Sequence, residues 1–81
     1  MSTHALDDAL VRARRARRLP SPAARRQLRV QAGLTQLDIA RALGVTRECV
    51  ARWELGCRTP RGVLLDRYIE LLDRLAVEAV R

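Results

Sequence analysis

Gln36-Leu37-Asp38-Ile39-Ala40-Arg41-Ala42-Leu43-Gly44-Val45-Thr46-Arg47-Glu48-Cys49-Val50-Ala51-Arg52-Trp53-Glu54 is the stretch that decides how this chain folds. Ile39 and Leu43 before Gly44, and Val50 and Trp53 after it, fall at helical spacing and can share one core. Thr35 caps the first of two short helices, with Asp38 three residues on as an acidic version of the capping box. The buried stripe of that helix is Leu37, Ala40 and Leu43, or Ile39 and Leu43. Gly44 ends it, because glycine takes the positive φ that the turn demands. Thr46 caps the next helix only two residues later, Val50 and Trp53 form its inward side, and Gly56 stops it. Ala40 is small where the second helix must approach, and Val45 plugs the corner. Each feature alone is ordinary helix patterning. Together they favour two helices crossing steeply through a turn of about three or four residues, a helix-turn-helix, over an unrelated α-hairpin.

Working outward, Ser21 before Pro22 is an N-cap followed by proline at the first helical position, where the missing N–H costs nothing. A helix over 22–32 follows, with Leu28, Ala24 and Ala32 on its inner face and Gly33 as a left-handed stop. Pro20 and Pro22 separate it from segment 1–19, where Leu6, Ala9, Leu10, Ala13 and Ala16 recur at helical spacing. That stripe is mostly alanine and Arg14 repels Arg18 four residues on, so the segment is a basic N-terminal arm or a marginal helix. Downstream, Thr59 and Pro60 open a last helix, in which Leu64, Leu65, Tyr68, Ile69, Leu72, Leu75, Ala76 and Ala79 recur to the C-terminus. Leu71, Val77 and Val80 lie outside this wide stripe, a surplus that suits a homodimer contact through residues 64–80. Residues 20–81 thus read as one helical domain with a long C-terminal helix.

Composition agrees. Eighty-one residues with 48% apolar letters make one domain with a small core, too little for a multidomain enzyme. Trp53 and Tyr68 are the only aromatics, so the core must come from Leu, Val, Ile and Ala, which points to an all-α fold. All sixteen basic residues are Arg, and the formal charge of +7 favours a polyanion or an anionic membrane surface as partner. The excess is concentrated in residues 1–31, which carry eight Arg and two Asp, while residues 63–81 are slightly acidic. No apolar run approaches the roughly 18 residues of a membrane span, and no signal-peptide core follows Met1, so a cytoplasmic protein is expected. Cys49 and Cys57 lack a second CxxC or a nearby His pair, and His4 sits near the terminus. They read as free thiols without a metal site, a disulfide framework or a cofactor. With one His, no Lys, no Gly-rich phosphate loop and no clustered carboxylates, the chain offers no catalytic apparatus and no small-molecule site.

The chain resembles the Cro/repressor (Xre-type) helix-turn-helix family through Leu28-Arg29, Ala32-Gly33-Leu34-Thr35-Gln36, Ile39-Ala40, Leu43-Gly44-Val45-Thr46-Arg47, Val50, Arg52-Trp53-Glu54, Gly56 and Pro60. The resemblance covers about residues 22–75. It implies a lambda-repressor-like bundle of four to five helices that places the helix starting at Thr46 in the DNA major groove, usually as a dimer on a pseudo-palindromic operator. No breaker interrupts 63–81, so the family's fourth and fifth helices are expected merged or shortened. Arg29 and Glu54 resemble the family's ion pair between the first and third helices. Gln36 occupies the position of a residue that touches the DNA backbone, where free amides of a first helical turn already favour phosphate.

The residues themselves point the same way. A helix beginning at Thr46 turns Arg47, Glu48, Cys49, Ala51 and Arg52 away from Val50 and Trp53. Arg47 and Arg52 suit bidentate donation to guanine, and Glu48 suits acceptance from cytosine N4, so a G·C-containing half-site is expected. Thr35, Thr46, Arg58 and Arg61 are candidates for phosphate contact beside Gln36, although capping alone accounts for the two threonines. Arg12, Arg14, Arg15, Arg17 and Arg18, extended by Arg25 and Arg26, either track phosphate as a basic arm or form a solvated helix face. The expected function is a sequence-specific regulator that binds double-stranded DNA, acting as a repressor. The alternative is a protein-interaction module, such as an antitoxin or antirepressor, docking through the Leu-rich last helix.

Overall fold

In a computed structural model, residues 3–80 are described, and the outermost ends of segments 1–19 and 20–81 lie outside them. The described residues form α1 (Thr3–Arg17), α2 (Pro22–Gln31), α3 (Gln36–Leu43), α4 (Arg47–Leu55) and α5 (Gly62–Ala79), with no strand among them.

Three of these helices start on a side-chain cap, each worth about 1 kcal/mol. The Ser21 hydroxyl accepts from the Ala24 N–H ahead of α2. At α3 the Thr35 hydroxyl accepts from the Asp38 N–H at 3.0 Å, while the Asp38 carboxylate accepts from the Thr35 N–H at 2.8 Å, a complete capping box. The bond from the Thr35 backbone holds the Asp38 carboxyl below its ordinary pKa. Thr46 repeats the device at α4, accepting from the Cys49 N–H. Gly44 closes α3 at φ 71°, and its N–H donates to the Ala40 carbonyl. Gly56 closes α4 at φ 80°, where an added Cβ would stand 3.1 Å from Pro22 Cγ, so the end of α4 lies directly against the start of α2.

The core forms where α3, α4 and α5 meet, with α2 packed on α4 and α5. Ile39, Ala40, Leu43, Val50, Trp53, Tyr68, Leu72 and Leu75 make one buried cluster, edged by Leu19, Leu28, Leu34 and Val45. The Trp53 and Tyr68 rings pack at 4.8 Å, tilted by 41°, and burial pushes the Tyr68 hydroxyl pKa up to about 12. The helix-turn-helix is thus fixed by its own apolar residues and by α5 behind it.

Several details depart from expectation. Leu37 is exposed, so Ile39, Ala40 and Leu43 form the inner stripe of α3. Thr59 and Pro60 do not open the last helix. Pro60 is buried in the loop, Arg61 is extended, and α5 begins at Gly62 without a side-chain cap. Burial of the proline ring outweighs its usual place in a first helical turn. Ala76 and Ala79 lie exposed, because α5 runs on past the core after Leu75. Cys49 is half-buried against the core and not on an open face. Segment 3–17 is helical but buries no side chain. It packs on α5, where Arg15 meets Asp66 at 2.8 Å, and the next turn places Arg18 3.3 Å from Asp73. No described helix is long and apolar enough to cross a membrane.

Candidate nucleic-acid interface

The outward edge of α4 follows from its inward one. With Val50 fully buried and Trp53 only 4% exposed, Arg47, Glu48 and Arg52 must project to the other side, and all three are exposed. Arg47 and Glu48 stand 3.9 Å apart, loosely paired on the surface.

Behind this edge a polar chain runs into the body. Arg29 grips Glu54 with both ends of its guanidinium, Nε to Oε2 at 2.7 Å and Nη2 to Oε1 at 2.9 Å. It also donates to the Leu34 carbonyl, which ties the loop before α3 to the same point. The pair is largely withdrawn from water, with side-chain exposures of 12% and 4%. Glu54 Oε1 accepts a further bond from Gln36 Nε2 at 3.2 Å, and Gln36 Oε1 accepts from Arg47 Nη1 at 3.3 Å. A carboxylate can only accept, so it turns the Gln36 amide nitrogen toward itself and leaves the amide oxygen for Arg47. These two bonds engage one amide hydrogen and the amide oxygen of Gln36. Burial pushes the Glu54 carboxyl up, but the bonds from Arg29 and Gln36 and the nearby Arg29 and Arg26 charges outweigh it and hold the pKa below its usual value. The same bond raises the Arg29 pKa.

Thr35 and Thr46 are exposed at the starts of α3 and α4. Each uses its oxygen as a cap acceptor, so the hydroxyl hydrogen stays free to donate. Arg58 and Arg61 come together with Arg52, Cys49, Cys57 and Thr59 around an open recess at the far end of α4. Arg61 also lines a neighbouring recess with Arg12 and Arg15 of α1. The loop after α4 therefore links the exposed edge of that helix to the basic half of α1, while Arg14 and Arg17 lie elsewhere on α1, exposed.

Arg25 requires a correction. Instead of extending the basic patch with the exposed Arg26, it is buried, 7% exposed, donating from Nε to the Pro20 carbonyl at 2.7 Å and from Nη1 to the Trp53 carbonyl at 2.8 Å. Its cation meets the C-terminal end of α4, where carbonyls lack helical partners and the helix dipole favours positive charge. Burial lowers its pKa. A signal existed, since Arg25, Leu28 and Arg29 share the i, i+3, i+4 spacing of one helix face, whereas Ala32, expected on that inner face, caps the end of α2 and is exposed. The bonds from Gln36 to Glu54 and Arg47 had no such signal.

An all-α bundle in which the short turn Gly44–Thr46 joins α3 to an exposed, Arg-bearing α4 has the make-up of a DNA-binding helix-turn-helix protein. Residues 26–77, well over half of the chain, match a family model described as Helix-turn-helix. The chain belongs to this Xre/Cro-like helix-turn-helix family of DNA-binding regulators. No curated protein and no solved structure matches it. The family match leaves out α1 entirely.

Proposed function

We propose that this chain is a sequence-specific regulator that inserts α4 into the major groove of double-stranded DNA and represses by occupying its site. The observation that carries the reading is the exposed edge of Arg47, Glu48 and Arg52, on a helix whose opposite side is locked into the core. Arg47 and Arg52 donate to guanine and Glu48 accepts from cytosine, each good pair discriminating by about 1–3 kcal/mol. Gln36, Thr35 and Thr46 bind phosphate on one side of the groove from the starts of α3 and α4, and Arg58 and Arg61 bind it on the other. Residues 20–81 form the DNA-binding unit, and the continuity of Arg61 with Arg12 and Arg15 supports a backbone-tracking role for the basic half of α1.

A homodimer through residues 64–80 has less to work with than the sequence promised. Leu65, Tyr68, Ile69, Leu72 and Leu75 are consumed by the protein's own core, which leaves mainly Val77 and Val80 exposed at the end of α5. The same shortage weakens the reading of α5 as a docking helix for another protein.

Salt dependence tests the proposal. Duplex affinity should fall linearly on a log–log plot against salt, with a slope of about −0.9 per phosphate neutralised, and Arg58→Ala or Arg61→Ala should each make that slope shallower by about one. A salt-insensitive affinity that neither variant changes would instead favour the protein-interaction module.

A further inference from the structure

Helix α1 has two sides. Arg12, Arg15 and Ala16 face the body, lining the recess against Pro60, Gly62 and Leu65. Leu6, Leu10 and Ala13 recur at steps of four and three, and at 3.6 residues per turn their stripe lies about 130° around the helix from that docked side. No described residue covers it. Leu6 is 56% exposed and Leu10 42% exposed, and no side chain of α1 is buried. Single exposed leucines are ordinary, but two at one-turn spacing on a helix already held by its other side form a seam.

Charge along the helix says what fits that seam. Asp7 and Asp8 occupy the N-terminal half and the arginines the C-terminal half. Asp7 and Arg14 sit seven residues apart, two helical turns, and so flank the stripe on the same edge. Neither forms an ion pair with another described residue. A second copy lying antiparallel, with the two Leu10 side chains near the middle, brings Asp7 of each copy opposite Arg14 of the other. A parallel arrangement would set like charges against each other. Ala9, which borders the seam, is small enough to allow close approach.

We propose that the outward stripe of α1, Leu6, Leu10 and Ala13, is a self-association surface for a second copy of this chain, paired antiparallel and selected by reciprocal Asp7–Arg14 contacts. A fifteen-residue helix offers far less than the roughly 1,200 Å² of a standard stable interface, so the pairing is weak in free solution. It becomes effective when two copies are held side by side, as on adjacent DNA sites, where the second contact is intramolecular. The inference does not rest on base reading by α4, and its test contains no DNA.

Sedimentation equilibrium of the full chain, from about ten micromolar to one millimolar at low salt, reads the association directly. The chain should dimerise within that range, and Leu10→Asp should weaken dimerisation at least about tenfold while leaving thermal unfolding unchanged, since Leu10 is outside the core. Asp7→Arg and Arg14→Asp should each abolish self-association, and an equimolar mixture of the two should recover it, because the two chains then carry opposite charges at both positions. A wild-type chain that stays monomeric throughout would overturn the proposal. So would a mixture that fails to associate, or a dimer that survives Leu10→Asp but is lost on Val77→Asp, which would place the contact on α5.

Discussion

Helix α1 with its following turn carries Arg12, Arg14, Arg15, Arg17 and Arg18, and keeps them at the surface, where among the described residues only Arg15 and Arg18 have carboxylate partners. Helix α2 carries three arginines and turns two of them inward. The difference lies in what each guanidinium can reach. Arg29 finds a carboxylate that takes both ends of its fork, and Arg25 finds the Trp53 carbonyl in the last turn of α4 and the Pro20 carbonyl, so both lose water without losing hydrogen bonds. The two α1-side pairs are exposed salt bridges to α5, of the kind whose Coulomb gain is mostly cancelled by screening and side-chain entropy. A count of arginines describes the field the protein presents. Their placement against apolar spacing describes which of them hold it together.

Substitutions can break that contrast. Glu54→Ala removes the partner of a nearly buried cation and should cost about 3–5 kcal/mol in denaturant unfolding. Arg25→Ala, which deletes two charged hydrogen bonds to carbonyls, should cost less, about 1.5–3 kcal/mol in all. Arg15→Ala should stay within about 1 kcal/mol. A reversed ranking would mean that α1 and α2 do not differ as described.

Acid titration sharpens the same point. Because the folded-state pKa of Glu54 is lowered, its stabilisation is complete above the unfolded carboxyl value of about 4.3 and is lost as pH falls through the lower folded value. Stability should therefore drop in the acid range below about pH 4, with Asp38 contributing in the same direction. Glu54→Gln should be less stable at neutral pH and show a flatter acid limb. An unchanged limb would mean that the Arg29–Glu54 pair does not favour the folded state.

Much of this architecture was legible in the residues. The caps at Ser21, Thr35 and Thr46 and the glycine stops at Gly44 and Gly56 are local chemistry, fixed by neighbours within four residues, and the inward positions Val50 and Trp53 follow from one helical period. What was hidden depends on contacts across the chain. The start of α5 is set by burial of Pro60 against the body, which its local preference does not disclose. The role of Arg25 depends on a carbonyl twenty-eight residues away. The link from Glu54 through Gln36 to Arg47 needs α3 and α4 to converge, and no spacing within one helix encodes it. Helix α1 was ambiguous because its alanine-rich stripe is a weak core former. Its charge order, acidic then basic, was visible, but which side faced the body was not.

The central claim is that the outer edge of α4 reads bases while Gln36 holds the backbone, and selection of bound sites from a random duplex library, followed by titration of every single-base variant of the selected site, tests it most directly. Arg47→Ala should erase the preference at one position, a loss of about 1–3 kcal/mol of discrimination, whereas Gln36→Ala should weaken binding to all sequences alike. Selection of no sequence at all, or an equal loss on every duplex for Arg47→Ala, would contradict it.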